Sequence, residues 1–234
     1  MAENIIELNS ETSCFVYSPL ELFEQAKEKY ISGDITSFYK LVDECIDDLK
    51  NVYDREYTEL NALIAKCKFF KGEHLDSINH FLDTISFFTN KQRPDLIWYL
   101  YIDVAEVYLS IDQGEIAENY LDKAKRYLEL HPETKNCQSY LFSIYLDYGR
   151  VHLNKDYDKS IYCLRKMKDC LDSNSYKELL MYHAFQYDLY KDENDIAQIE
   201  RILQQYNIDY TGITIDLYDY LHTLLEQKEY KPFL

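Results

Sequence analysis

The sequence predicts an all-α protein: a right-handed superhelix of about five helical hairpins, closed by a C-terminal capping helix. Three observations lead there. The 234 residues include only 5 glycines and 4 prolines, too few for the many tight turns of a β fold. Small residues recur at Ala26, Ala65, Ala105, Gly149 and Ala184, at intervals of 35 to 44 residues. The stretch from Ile144 to Met167 reads as two short helices joined by a turn at 154–157. Tyr145, Tyr148, Gly149 and His152 recur at helical spacing on the first, and Ser160, Leu164 and Met167 on the second. Gly149 and Ser160 then fall where the two backbones would approach most closely.

Residues 1–18 have no steady period and are expected to form an N-terminal arm. Ser18-Pro19 opens the first helix, with Ser as N-cap, Pro in the first turn and Glu21 three residues on. The repeat array is expected over 19–206. The residues answering the small positions on the second helices are Phe38, Ser77, Ala117, Ser160 and Ala197. Turns are expected at Ser32-Gly33-Asp34, Lys71-Gly72-Glu73, Asp112-Gln113-Gly114, Lys155-Asp156 and Asp192-Glu193-Asn194. In the third hairpin Tyr101, Val104, Ala105 and Tyr108 answer Ala117, Leu121 and Ala124, and His131-Pro132 ends the second helix. Phe38 is bulky for its position, which fits a terminal repeat. Each pair has two apolar faces, so stacking is obligatory.

After Asn207 the pattern changes. Beyond Gly212, Ile213, Leu217, Leu221, Leu224 and Leu225 make one amphipathic stripe. The segment 207–234 is expected to cap the last hairpin or to form a dimerisation helix.

Charge narrows the partners. Lys and Arg number 25 against 42 Asp and Glu, a formal net charge of −17. Nucleic-acid affinity rests on cations neutralising phosphates, so direct DNA or RNA binding is not expected, nor is an anionic membrane surface. The acidic start lacks a secretory n-region, and no stretch approaches the ~20 apolar residues of a membrane span. The six cysteines form no Cys-x-x-Cys pair, and Cys45, Cys67 and Cys163 lie in apolar helical patterns. A reduced, cytoplasmic protein is expected.

Signals for chemistry are poor. There is no Gly-rich phosphate loop, no Gly-x-Ser-x-Gly, no His-Glu-x-x-His and no Cys/His set at zinc spacing, so no enzyme, cofactor or metal is expected. His74 and His80 read as lone solvent-facing histidines. Asp188, Asp192, Asn194 and Asp195 read as a polar hairpin turn, since the glycine and distal glutamate of a calcium loop are missing. Asp103 and Glu106 stand one helical turn apart; an acid–base role would require a closed pocket, and binding a basic ligand or facing water fits better.

The 24 tyrosines are the compositional oddity. Tyr108, Tyr145 and Tyr148 fit the core, whereas Tyr99 and Tyr182 fall on another side of their helices, where an amphipathic ring suits recognition. In a stacked array the first helices line the concave wall, and the residues beside each small position face the groove. This selects Lys66, Phe69 and Phe70; Tyr99, Asp103 and Glu106; Leu146, Asp147, Arg150 and Asn154; and Met181, Tyr182 and Phe185. The bland alternative is a solvated, unused face. A mixed groove of charges and aromatics suits a peptide or protein segment. A structural scaffold, acting through a homodimer or the convex face, is the alternative.

Tyr148-Gly149-x-x-His152 followed by Asp156-Tyr157-x-Lys159-Ser160-Ile161 resembles a tetratricopeptide repeat, and the array covers roughly 20–205. Long, tyrosine-rich repeats of this sort also resemble the sensor domains of Gram-positive peptide-pheromone receptors of the Rgg, PlcR and PrgX type. That resemblance implies quorum sensing: a short peptide bound on the concave face, asparagines on inner helices holding its backbone, and a C-terminal dimer. Asn154 is the one clear asparagine on this inner face. The 18 residues before the array leave no room for a helix-turn-helix, so the resemblance implies an isolated sensor or a receptor acting on protein partners.

Overall fold

Five helix starts among the described residues are set by side chains that accept otherwise unused backbone N–H groups. Glu21 N donates to Ser18 Oγ at 3.3 Å and Ser18 N donates to the Glu21 carboxylate at 2.7 Å, a complete capping box. Asp34, Asp156, Ser175 and Asp192 cap four later helices in the simpler one-way manner. A computed structural model describes residues 17–206. The expected arm up to residue 16, with Cys14, and the expected cap or dimerisation segment from 207 lie outside the described residues.

Among the described residues ten α-helices follow one another: α1 Pro19–Ile31, α2 Ile35–Val52, α3 Asp54–Phe70, α4 His74–Asn90, α5 Trp98–Ser110, α6 Gly114–Leu130, α7 Cys137–His152, α8 Tyr157–Cys170, α9 Tyr176–Tyr190 and α10 Glu193–Gln205. A single 3₁₀ turn, Pro94–Leu96, precedes α5. Successive helices pack as five hairpins, α1 with α2 through to α9 with α10. The described residues contain no strand. Among them, no helix is long and apolar enough to cross a membrane.

The turns depart from expectation in an instructive way. Gly33 and Gly72 take the left-handed conformation, at φ 76° and 78°. In the third hairpin Asp112 takes that role at φ 58°, which its short polar side chain tolerates. Gly114, expected in the turn, is instead the buried first residue of α6. A Cβ there would stand 3.2 Å from Val151 Cγ1 on α7, so this glycine serves close packing between hairpins. In the fifth hairpin Lys191 supplies the left-handed residue, and Glu193 and Asn194 already belong to α10.

Four small positions pack as expected. Ser77 Oγ donates to the Ala65 carbonyl at 2.8 Å, tying α4 to α3, and Ala105 and Ala117 are wholly buried. Gly149 and Ser160 are both buried, on helices that pack against each other. Ser160 Oγ donates within its own helix to the Asp156 carbonyl, whereas a Cβ on Gly149 would lie 2.9 and 3.0 Å from the Phe185 ring carbons Cε2 and Cε1. The small residue admits an aromatic ring from the next hairpin. Ala197 is exposed; with Asp192 as N-cap, Ile196, Ile199 and Ile202 face the core and Ala197 turns to solvent. Phe38 is wholly buried, its ring 5.8 Å from Tyr30 and 5.3 Å from Tyr39.

Cys45, Cys67, Cys137 and Cys163 are buried free thiols, and burial pushes Cys45 and Cys163 up to about 11. Such thiols stay protonated and pack as small apolar groups.

Candidate functional site

The first helices of the hairpins approach one another directly: α1 packs on α3, α5 on α7, and α7 on α9. They therefore form the inner wall. Between the second and third hairpins the 3₁₀ turn Pro94–Leu96 touches α3, α4 and α5. Across this junction Lys66 Nζ on α3 lies 2.9 Å from Asp103 Oδ1 on α5. One helix further, Arg150 Nη1 donates to Asp147 Oδ1 at 3.2 Å within α7. Glu106, on α5 one turn after Asp103, stands between these pairs.

Burial, then the nearby Asp147 and Asp103 carboxylates, push Glu106 up to about 7, against the pull of Lys66 and Arg150. Burial pushes Asp147 up to about 6, and Arg150 opposes it. Asp103 raises Lys66 further above the usual lysine range. Burial likewise raises the Tyr99 hydroxyl.

Three cavities lie in series along this wall. The middle one, about 420 Å³, is lined by Glu59, Ala62, Leu63 and Lys66 of α3, Tyr99, Ile102, Asp103 and Glu106 of α5, Tyr140, Ser143, Leu146, Asp147 and Arg150 of α7, and Met181 of α9. A second, about 460 Å³, opens towards the C-terminal ends of α5 and α7 and includes Phe69, Glu106, Arg150, Asn154 and Lys155. A third, about 690 Å³, lies at the N-terminal ends of α3, α5 and α7 and includes Arg55, Glu59, Arg93, Trp98, Tyr99, Lys135 and Tyr140. The middle cavity shares Glu106 and Arg150 with the second, and Glu59, Tyr99 and Tyr140 with the third. They form one groove.

The structure brings Lys66, Tyr99, Asp103, Glu106, Asp147 and Arg150 together in the middle cavity, and places Phe69 and Asn154 in the second. Phe70 and Tyr182 line none of the three. Phe70 is exposed with its ring against Phe69, and Tyr182 is half-buried, edge-on to His183. Leu146 and Phe185, expected to face the groove openly, are buried, Phe185 because its ring fills the space beside Gly149.

Sequence reasoning missed Glu59, Leu63, Tyr140 and Ser143, which lie more than a turn from the small residue or on its flank. They share the helical face of residues that were found: Glu59 and Leu63 precede Lys66 by two turns and one, and Tyr140 and Ser143 precede Asp147 likewise. Continuing the stripe towards the helix N-termini would have found them.

His74 and His80 are not solvent-facing. Both are half-buried, and His74 Nδ1 and His80 Nε2 are enclosed without a hydrogen-bond partner. Burial, with Lys68 beside it, pushes His80 down to about 4, so its ring is neutral at ordinary pH. The polar turn at 188–195 holds a further surprise: Asp195 is buried and lies 2.9 Å from His183 Nδ1. His152 and Glu118 make a similar pair at 2.8 Å, between α7 and α6, and Tyr148 donates to Asp122 across the same junction.

No protein-family model and no curated protein matches the chain. Solved structures do. BtubC (BKLC) from P. vanneervenii superposes with a TM-score of 0.62 at 14% identity, covering 93% of this chain and 86% of its own. A putative kinesin light chain with nearly identical TPR-like repeats, from Podosopora anserina, superposes at 0.53 with 11% identity, covering 92% of this chain and all of its own. A single-residue variant of that kinesin light chain gives 0.53 at 10% identity over 82% of this chain. With ten helices in five hairpins among the described residues, the chain has the fold of the tetratricopeptide-like repeat proteins. Stacked repeats of this kind create an extended concave surface.

Proposed function

We propose that this protein is a non-enzymatic binding module whose inner groove takes up an extended peptide or protein segment. The observation that carries the reading is the continuity of the three cavities along α3, α5 and α7. An elongated groove fits a chain segment better than a compact metabolite, and its wall alternates aromatic area (Tyr99, Tyr140) with charges that can fix register. A short signalling peptide in a cytoplasmic sensor is the finer form of the proposal. It rests on the sequence resemblance and on the place of Asn154 in the groove.

Native mass spectrometry of the purified protein, alone and after incubation with peptides from spent culture medium, tests it. An added mass of peptide size, lost in Ser143→Trp, is the expected result; Ser143 lines the middle cavity and its hydroxyl bonds only within its own helix, to Ser139 O. A bound peptide unaffected by that substitution would place the site elsewhere. A dimer with no peptide adduct would favour the scaffolding reading, with exposed Tyr157 and Tyr162 of α8 as the surface to examine.

A further inference from the structure

The groove holds two cations and three carboxylates in its middle cavity besides Glu59, and their pairing is uneven. Lys66 is matched by Asp103 and Arg150 by Asp147, while Lys27 holds Glu59 at 2.8 Å. Glu106 accepts no hydrogen bond and joins no ion pair among the described residues. It is half-buried, and it is the carboxyl shared by the middle and second cavities, so it faces the path that an occupant would follow. A partly desolvated carboxyl without a partner is a poor place for a charge until a cation is set beside it, and that cation then gains a charge-assisted hydrogen bond.

Resting on the groove reading above, we propose that Glu106 is a recognition subsite for a cationic side chain, a lysine or arginine, of the bound segment. The two matched pairs on either side leave no net charge of their own to repel that cation. They also stand where they can orient it: the Asp103 and Asp147 carboxylates flank the position from α5 and α7, with Lys66 and Arg150 held back by their own partners. The titratable groups facing Glu106 are Asp103 on its own helix, Lys66 from α3, and Asp147 and Arg150 from α7. The Tyr30 hydroxyl of α1 also feels its charge.

Binding is coupled to protonation. Burial and the two neighbouring aspartates hold Glu106 near neutrality in its titration, so part of the free protein carries the carboxyl protonated. An arriving cation requires the ionised form, and the proton leaves to solvent. Affinity for the segment therefore rises with pH up to roughly neutrality and levels off above it; the part near neutrality belongs to Glu106 and goes with it, while Asp147 contributes a smaller part nearer pH 6.

Selection of a random heptapeptide display library on the full chain and on Glu106→Gln, at pH 7.5, tests the proposal. Glutamine keeps the shape and removes the charge; circular dichroism and thermal melting confirm that the variant is folded. The expected result is a family of peptides with a lysine or arginine at one fixed position. These should bind Glu106→Gln roughly tenfold to a hundredfold more weakly, as for loss of a charge-assisted hydrogen bond. Synthetic copies should bind the wild type more tightly at pH 7.5 than at pH 6, and the variant should show a much smaller difference, the share left by Asp147. Enriched peptides without a fixed cation, or bound equally by the variant, would overturn the subsite and leave the groove reading standing. No enrichment on the wild type would overturn both.

Discussion

The ring of Phe185 on α9 occupies the space that a side chain at Gly149 on α7 would need. This contact joins the fourth hairpin to the fifth, and it explains why the most recognisable repeat motif has its glycine where it does. Gly149→Ala should therefore destabilise the protein. Alanine gains about 1 kcal/mol of helix propensity over glycine, but forcing a methyl against a packed ring costs about 1–3 kcal/mol. A net loss of about 1 kcal/mol is expected in urea unfolding. Pairing it with Phe185→Leu should recover part of the loss, as a double-mutant cycle would reveal. Additive losses would mean that the two residues do not share that space.

The hydroxyl of Ser77 makes the corresponding link in the second hairpin, donating to the Ala65 carbonyl in a fully buried position. Ser77→Ala should cost about 1 kcal/mol, the net worth of a buried neutral hydrogen bond, with little change in packing. The same substitution at Ser160, whose hydroxyl bonds only within its own helix, should cost less. Equal effects would contradict the distinction drawn between these two repeats.

His80 offers a stabilising change. Its Nε2 is buried without a partner, and burial holds the ring neutral down to about pH 4. Between about pH 6.5 and 4 the unfolded chain takes up a proton that the folded chain does not, so the folded state loses stability as pH falls through that window. His80→Leu should be more stable by about 1 kcal/mol at pH 7, and by more at pH 5. Thermal melts of both proteins at the two pH values provide the check; a variant less stable than wild type would mean that His80 has an acceptor after all.

Glu106 and Asp147 work in the opposite sense. Their folded values, about 7 and about 6, lie above those of unfolded carboxylates, so the folded chain retains protons that the unfolded chain has released. Stability from these groups is present at low pH and is lost as pH rises from about 4.5 through 7. Relative to wild type, Glu106→Gln should gain stability progressively between pH 5 and 8 and then level off. A difference constant across that range would mean that Glu106 titrates normally.

Much of the fold was legible because repeat architecture is written in local spacing. The small residues Ala65 and Ala105, the buried Ala117 and the Ser18–Glu21 capping box are each set by neighbours within a turn or by the hairpin partner. What could not be read depended on the next hairpin. The partner of Gly149 lies 36 positions on, at Phe185, and Gly114 is small because of Val151 on α7. Ala197 was mistaken because the phase of α10 follows from its cap at Asp192, and a shift of one residue turns a side chain by about 100°. In the groove, the alternation of charges was visible, but their pairing was not. Whether Lys66 meets Asp103, and so leaves Glu106 unmatched, depends on how α3 sits against α5 across the Pro94–Leu96 turn.

If the inner groove holds the partner, crosslinks should form there and not on the outer helices. A photo-crosslinking residue placed at Ile102, which lines the middle cavity, and in a separate variant at Tyr162, exposed on α8, tests this directly. With peptides from spent medium, the expected result is a peptide adduct from position 102 and none from position 162. Adducts from 162 alone, or a second copy of the chain captured there, would contradict the groove and move the protein's working surface to its convex side.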